Sequence, residues 1–292
     1  MQNNICLHNL TPICTLLPLS VFYGTIFLSN NREAISKVIC FDAGNSDLVA
    51  GLFSEDKLVK VCRIDYEKEQ TKEQYFQLLK DSMAAENIDT SEIEGCLLCC
   101  EAQDTAYPLC CAMEMVFACR PVIFKNDENC RLNILTEDPY EVGADIIASC
   151  MAAKDMLPMP CVVIDMGTAS TVTAMDKDAN VLGVSILTGV FTSMWALRER
   201  TGLPFEENIK AQPRAIGTNT QKSIDSGIIL GSAYAIDGLV QSFEEEIGQG
   251  RCSVIATGGV SQFIVPHCHR EIQLDNNLLL KGLYCYYKNS IM

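Results

Sequence analysis

The chain has 292 residues, 48% of them apolar and 20% charged, a balance that excludes intrinsic disorder and can fill a large core in one bilobal unit or two domains. Its 22 basic and 37 acidic side chains give a formal charge of −15, which repels nucleic acid and anionic membrane and removes both as partners. The 16 cysteines run from Cys6 to Cys285, many inside apolar stretches (Cys40, Cys96, Cys161), a distribution expected of reduced core thiols in a cytoplasmic protein rather than of a disulfide framework.

Residues 1–36 stand apart. Ile13 to Leu28 is apolar, yet it is shorter than a membrane-spanning helix, contains Pro18 and has no Lys or Arg ahead of it. A loosely packed, poorly ordered extension, or an upstream start, is expected there rather than an anchor or signal. Val38 to Phe41 then runs through Asp42, Gly44, Asn45 and Ser46 into a second apolar stretch, Leu48 to Phe53, a pattern that predicts strand, tight turn, strand. Lys57 to Ile64 is a third strand, and Thr71 to Ala85 carries Tyr75, Leu78, Leu79 and Met83 at helical spacing. Ile93 to Cys100 is a buried strand whose alternation sends Cys96 and Cys99 to opposite faces, against a metal or redox pair there. A helix over Ala106 to Cys119 and a short strand over Pro121 to Phe124 complete half of an α/β domain.

Asp138-Pro139 punctuates the chain before a helix over Val142 to Leu157. The hairpin pattern then returns: Val162, Val163 and Ile164 run into Asp165-Met166-Gly167-Thr168, followed by Thr171 to Ala174. Beyond it the sequence predicts a helix over Thr192 to Thr201, a break at Gly202-Leu203-Pro204 and one long helix from Thr220 to Gly248. A strand from Ser253 to Ala256 ends in Thr257-Gly258-Gly259, and a helix from Leu278 to Tyr287 closes the pattern. His267 and His269 flank Cys268 in a loop with no further ligand cluster in view, which argues against a metal there. No flexible linker separates the halves, so a rigid two-lobed body with a central cleft is expected.

The repeated hairpin carries the chemistry. An Asp at the end of a buried strand can hold a metal ion, a Gly lets backbone amides approach a phosphate, and a neighbouring Asn, Ser or Thr can donate to its oxygens. Either Asp alone could merely cap a turn. The matched pair points to two walls around a nucleotide's phosphates, with a cation to offset the charge. Asp145, on its own, could be an acid favoured at a helix start by the dipole.

The ordered motifs Asp42-Ala43-Gly44-Asn45-Ser46, Glu141-Val142-Gly143-Ala144-Asp145, Asp165-Met166-Gly167-Thr168-Ala169, Leu182-Gly183 to Gly189, Ile216-Gly217-Thr218-Asn219-Thr220, Ser226-Gly227 and Ala256-Thr257-Gly258-Gly259 resemble those of the type III pantothenate kinases. These belong to the acetate kinase, sugar kinase, Hsp70 and actin superfamily, and the resemblance runs from about Val38 to Asn289. It implies an α/β chain of duplicated ribonuclease-H-like (actin-like ATPase) domains, 37–157 and 158–292, around a nucleotide cleft. It also implies phosphorylation of pantothenate by ATP to 4'-phosphopantothenate, the first step toward coenzyme A, by a cytoplasmic homodimer. Carried over by position, Asp42, Ala43, Gly44, Asn45, Ser46, Asp47 and Thr168 would hold ATP, with Asp42 on Mg2+. Asp165 would hold a monovalent cation, K+ or NH4+, and Asp145 would be the general base. Gly143, Ala144, Asp145, Ile146 and Thr220 would meet the substrate, and Thr257-Gly258-Gly259 would pass near the adenosine.

The departures from the family pattern lie on the substrate side. Ile146 stands where members usually carry Arg, Thr136 replaces a Tyr, and Cys99-Cys100-Glu101-Ala102 replaces a Ser-Ser-Val-Pro stretch. A Gly-Gly to Pro-Gly loop is reduced to Gly183-Val184 up to Thr188-Gly189. Two functions therefore follow from the resemblance: an active pantothenate kinase, or an impaired or altered-substrate paralogue that binds nucleotide as a regulator or dimer partner.

Overall fold

A computed structural model of the chain describes residues 37–44, 47–100, 102–206 and 213–291. The chain divides into two units, 1–33 and 34–292. All described residues belong to the second, and the extension expected over residues 1–36 lies outside them.

The apolar runs of the first hairpin and the strand after it form β1 (Lys37–Ala43), β2 (Asp47–Ser54) and β3 (Lys57–Asp65), an antiparallel meander. Helix α1 (Lys72–Ala85) opens on a capping box: the Gln74 amide donates to the Thr71 hydroxyl and the Thr71 amide donates to the Gln74 side chain. After α1 come β4 (Gly95–Cys100), α2 (Gln103–Phe117) and β5 (Val122–Ile123), with β4 parallel to β1 and β5 parallel to β4. Helix α3 (Ala144–Met156) leads into a second meander, β6 (Cys161–Met166), β7 (Ala169–Met175) and β8 (Val181–Thr188). There follow α4 (Val190–Thr201), α5 (Thr220–Asp225), α6 (Gly231–Ile247), β9 (Ser253–Thr257), α7 (Ser261–Ile264), β10 (Gln273–Leu274) and α8 (Leu278–Ile291). The first sheet is ordered β3-β2-β1-β4-β5 and the second β8-β7-β6-β9-β10, the same topology strand for strand. The chain thus has the duplicated ribonuclease-H-like, actin-like ATPase fold.

Two elements differ from the sequence-based expectation. The Gly183-to-Gly189 stretch, expected as a loop, is largely strand: β8 pairs along β7 from Val181 to Thr188. It sits at the sheet edge with most of its residues half-buried and Ile186 72% exposed, so it lacks the in–out alternation that marks a strand in sequence. The single long helix expected from Thr220 is interrupted by a π-helical turn from Ser226 to Leu230, where the Ser226 hydroxyl donates to the Ala215 carbonyl at 2.8 Å.

The core is layered. One face of the first sheet packs Ile39, Phe41, Cys96 and Leu98 against α1 and α2. Its other face packs Val38, Cys40, Leu97 and Cys99 against Ile147, Ala148 and Met151 of α3 and Leu280, Leu283 and Tyr287 of α8. Cys96 and Cys99 therefore do face opposite ways, and every described cysteine is a free thiol. Helix α3 also meets the second sheet, with Cys150, Ala152 and Ala153 against Cys161, Val163 and Ile255. Seven consecutive residues of α3, Ile147 to Ala153, are buried, as they must be in a helix covered on every side. The far face of the second sheet is closed by α4, α5, α6 and α7 through Met194, Ile224, Ile236, Val240 and Ile264.

The fit of α8 on α3 depends on Gly282, where a Cβ would lie 1.7 Å from the Ala148 carbonyl oxygen. Gly282→Ala is expected to lower stability by about 1–3 kcal/mol despite Ala's better helix propensity, because a backbone atom cannot yield as a side chain does. Urea unfolding measures it, and an unchanged or raised midpoint would contradict this packing.

Candidate active site

The two hairpins place their acids at matching points. Asp42 is the penultimate residue of β1, flanked by Val49 on β2 and Cys99 on β4. Asp165 is the penultimate residue of β6, flanked by Thr171 on β7 and Thr257 on β9. Each strand then enters a turn closed by a glycine amide: Gly44 donates to the Asp47 carbonyl at 3.0 Å and Gly167 to the Ala169 carbonyl at 2.9 Å. The Thr168 carbonyl is held from behind by the Gly189 amide at 3.1 Å and the Thr192 hydroxyl at 2.7 Å. At Gly189 a Cβ would meet the Gly167 carbonyl oxygen at 2.2 Å, so the second turn and the start of α4 can pack this closely only through glycine.

Asp42, Ala43, Gly44, Asp145, Asp165 and Thr168 line one cavity of about 610 Å³. A second hollow of about 240 Å³ shares Asp42, Gly44, Asp165 and Thr168 and extends to Thr257, Gly258 and Gly259. The site is therefore two chambers joined at the paired hairpins, one leading to Asp145 and the other to the turn after β9. Gly258 takes a left-handed backbone (φ +93°), and a Cβ there would lie 2.4 Å from the Met166 carbonyl oxygen, which lets that turn close over the end of β6. Asp47 lines the smaller chamber, with an Arg63 nitrogen 3.8 Å from its carboxylate.

Asp145 enters the cavity from the first turn of α3, and its carboxylate accepts the Ile146 amide at 2.8 Å. The helix wedged between the sheets therefore delivers the third acid. Gly143 and Ala144 form the cap and first residue of the same helix but do not line either chamber. Ile146 turns into an apolar cluster with Cys150, Cys161 and Leu157. Thr220 is exposed at the start of α5, where Asn219 caps the helix by accepting the Lys222 amide, and it lines neither chamber. The Thr136 hydroxyl donates to the Asp138 carbonyl at 3.0 Å. Asn45 and Ser46 lie outside the described residues.

The chambers also hold residues that pattern alone does not pick out. Leu279, from the start of α8, lines both. Lys68 and Cys100 line the larger. The Tyr66 hydroxyl, pushed up to about 12 chiefly by burial, donates to the Gly44 carbonyl at 2.6 Å and braces the first turn. A lone Lys between Glu67 and Glu69 is the only sequence cue for Lys68. A cavity of similar size, about 650 Å³, lies beside Arg251 and Arg270, far from these acids, and there Arg270 is already met by Glu244 and the Cys252 carbonyl.

Burial and then the Asp145 charge raise the Asp165 carboxyl from 3.8 to about 6. No three metal-binding side chains among the described residues converge enough to hold an ion by themselves. An oxygen-only set of one or two carboxylates suits a hard cation such as Mg2+, which completes its shell with water and phosphate oxygens. The donor chemistry of the cleft therefore fits a metal–nucleotide complex better than a free ion.

Matched hairpins closing on an acid-lined cleft define a nucleotide-cleft protein of the actin-like ATPase class. The family model for type III pantothenate kinase matches residues 38–242. A type III pantothenate kinase of Exiguobacterium sp. is 30% identical over 253 residues, 87% of this chain and 99% of that protein. The enzyme of that name from Acholeplasma laidlawii is 31% identical over 254 residues, with the same two shares. The chain belongs to the type III pantothenate kinase family. Among solved structures, the ethanolamine utilization protein EutJ of Carboxydothermus hydrogenoformans superposes with a TM-score of 0.51 at 14% identity, over 85% of this chain and 89% of that one, a likeness of fold. No described helix is long and apolar enough to cross a membrane.

Because the folded Asp165 carboxyl is raised, it destabilises the native state when ionised. The cost is absent below pH 3.8, grows as pH rises, and is complete above about 6. Asp165→Asn is expected to stabilise the ligand-free protein by up to about 3 kcal/mol at pH 8, a gain that vanishes near pH 4. Thermal unfolding across that range measures it, and a variant no more stable than wild type at pH 8 would contradict the desolvated acid.

Proposed function

We propose that the protein phosphorylates pantothenate on its primary hydroxyl with ATP, giving 4'-phosphopantothenate and ADP. The observation that carries this is the convergence of Asp145, at the start of α3, with Asp42 and Asp165 of the paired hairpins on a single cavity. Family membership supplies the substrate class, and the chamber geometry is what such a transfer needs: donor phosphates at the joint, acceptor on one side, nucleoside on the other.

The roles follow by position. The turn at Asp42, Ala43, Gly44 and Asp47, with Asn45 and Ser46 between, would receive the phosphates from one wall, and the Thr168 hydroxyl would donate from the other. Asp42 would hold Mg2+, and Asp165 a monovalent cation, K+ or NH4+. When bound, these cations neutralise the phosphates and the clustered carboxylates. Asp145 would accept the hydroxyl proton as the acceptor oxygen forms its bond to the γ-phosphorus and the bond to the ADP oxygen breaks. Such a base mainly orients the nucleophile, and positioning within the cavity supplies much of the rest.

Gly143, Ala144 and Ile146 shape the backbone behind Asp145, and Thr220 would reach the acceptor from α5, which lies outside the chambers in the single chain. A homodimer in the cytoplasm is part of the same proposal. The altered-substrate alternative rests on the substrate-side departures alone, such as Ile146 and Thr136, and the family match favours the kinase.

Purified protein is expected to release ADP from ATP only when pantothenate is present, faster with K+ than without. Asp145→Asn should lower kcat by about 10²-fold or more while leaving the affinity for a non-hydrolysable ATP analogue within twofold. Unimpaired turnover by this variant would remove Asp145 from the role of base. Absence of pantothenate-dependent turnover in the unaltered protein would overturn the proposed substrate.

A further inference from the structure

We infer that Cys96 and Cys119 form a thiol–disulfide modification site: on meeting a small-molecule disulfide such as oxidised glutathione they join to each other, and a dithiol reductant separates them again. The inference stands apart from the phosphotransfer proposed above. The Cys119 thiol donates to the Cys96 sulfur at 3.4 Å, and the Cys96 thiol donates to the Cys119 carbonyl at 3.6 Å. Bonded sulfurs lie about 2.05 Å apart, so the two have only a short way to close. Cys96 is held in β4 opposite Ile39 of β1 and is fully buried. Cys119 is half-buried and belongs to no helix or strand: α2 ends in a left-handed turn at Ala118 (φ 52°), and β5 begins only at Val122. One sulfur is therefore anchored, and the other sits on backbone that can yield.

The difference in exposure sets the order of events. Burial first, and the neighbouring Cys119 second, push the Cys96 thiol up, so it keeps its proton and has no route to an oxidant in solution. Cys119 reaches solvent. Having given its proton to water, its sulfur bonds to one sulfur of the small disulfide, whose S–S bond breaks and releases a thiolate. The Cys96 sulfur then attacks the Cys119 sulfur of this mixed disulfide, and the second small thiol leaves with the Cys96 proton. Two cysteine thiols are oxidised and one small disulfide is reduced to two thiols. Contact between the partners favours this second step over attack by a free thiol. Between the two cysteines the chain passes Cys99, Cys100 and Ala102, which line the larger chamber, and then α2. The new bond ties the end of α2 to the strand that carries this wall.

The test takes the full-length chain, fully reduced, exposes it to oxidised glutathione without denaturant, and digests it under non-reducing conditions with a glutamate-specific protease. Cleavage after Glu94, Glu101, Glu114 and Glu128 puts Cys96 in peptide 95–101, Cys110 and Cys111 in 102–114, and Cys119 in 115–128. The expected product is 95–101 joined to 115–128, lost on addition of dithiothreitol. Cys96→Ala should instead leave glutathione attached to Cys119, and Cys119→Ser should leave the two peptides unjoined. The oxidised protein should unfold at a temperature no lower than the reduced one. Glutathione retained on Cys119 of the unaltered chain, or no reaction there at all, would overturn the inference. So would Cys119 joined to 102–114, a joined product that survives Cys96→Ala, one that forms only in urea, or a lowered unfolding temperature.

Discussion

Like charges held close together on purpose organise this molecule. Asp42 and Asp165 end the central strands of two sheets with the same strand order, and Asp145 arrives from the helix between them, so three acids line one cavity. The raised Asp165 carboxyl is the local signature of that crowding: it is withdrawn from water, sits near another acid, and accepts no hydrogen bond from any described residue. A fold selected for stability alone has no reason to keep such a group. A fold that receives polyphosphate together with cations, as proposed, would have one, because the cations would convert the repulsion into attraction.

The scaffold that sets the acids on one cavity is the pair α3 and α8. Helix α3 is buried on all sides and contacts both sheets, so the position of Asp145 is set by the cores of both lobes at once. Helix α8 comes last in the chain but packs on the first sheet, and its opening residues border both chambers through Leu279. Alanines on α3 and Gly282 on α8 bring the two backbones close enough for this to work. The position of Asp145 therefore depends on close packing well away from the cavity it lines.

Much of this was legible in the sequence, and the physical reason is local pattern. Strand–turn–strand with Asp and Gly at fixed offsets repeats at Asp42 and Asp165, and both acids lie where that repeat puts them. Helical spacing in α1 and strand alternation at Cys96 and Cys99 were equally readable, because each face of those elements meets a distinct environment. What escaped depended on long-range contact. Edge strand β8 has no clean alternation, the π turn at Ser226 to Leu230 is fixed by a bond to Ala215, and α8 returns to the first sheet across most of the chain. Lys68 had nothing to mark it in a charged loop until the fold set it beside three acids. The motif residues Gly143, Ala144 and Thr220 are placed outside the chambers of the single chain, which no spacing argument could decide.

On the proposed roles, the acid-lined joint between the chambers should accept polyphosphate only together with a cation. Calorimetric titration of the intact protein with a non-hydrolysable ATP analogue, with Mg2+ and then with excess chelator, addresses it most directly. Tight binding with Mg2+ and a loss of about tenfold or more in affinity under chelation is the predicted result. Equal affinity in both conditions would mean that Asp42 and Asp165 do not face the phosphates at all.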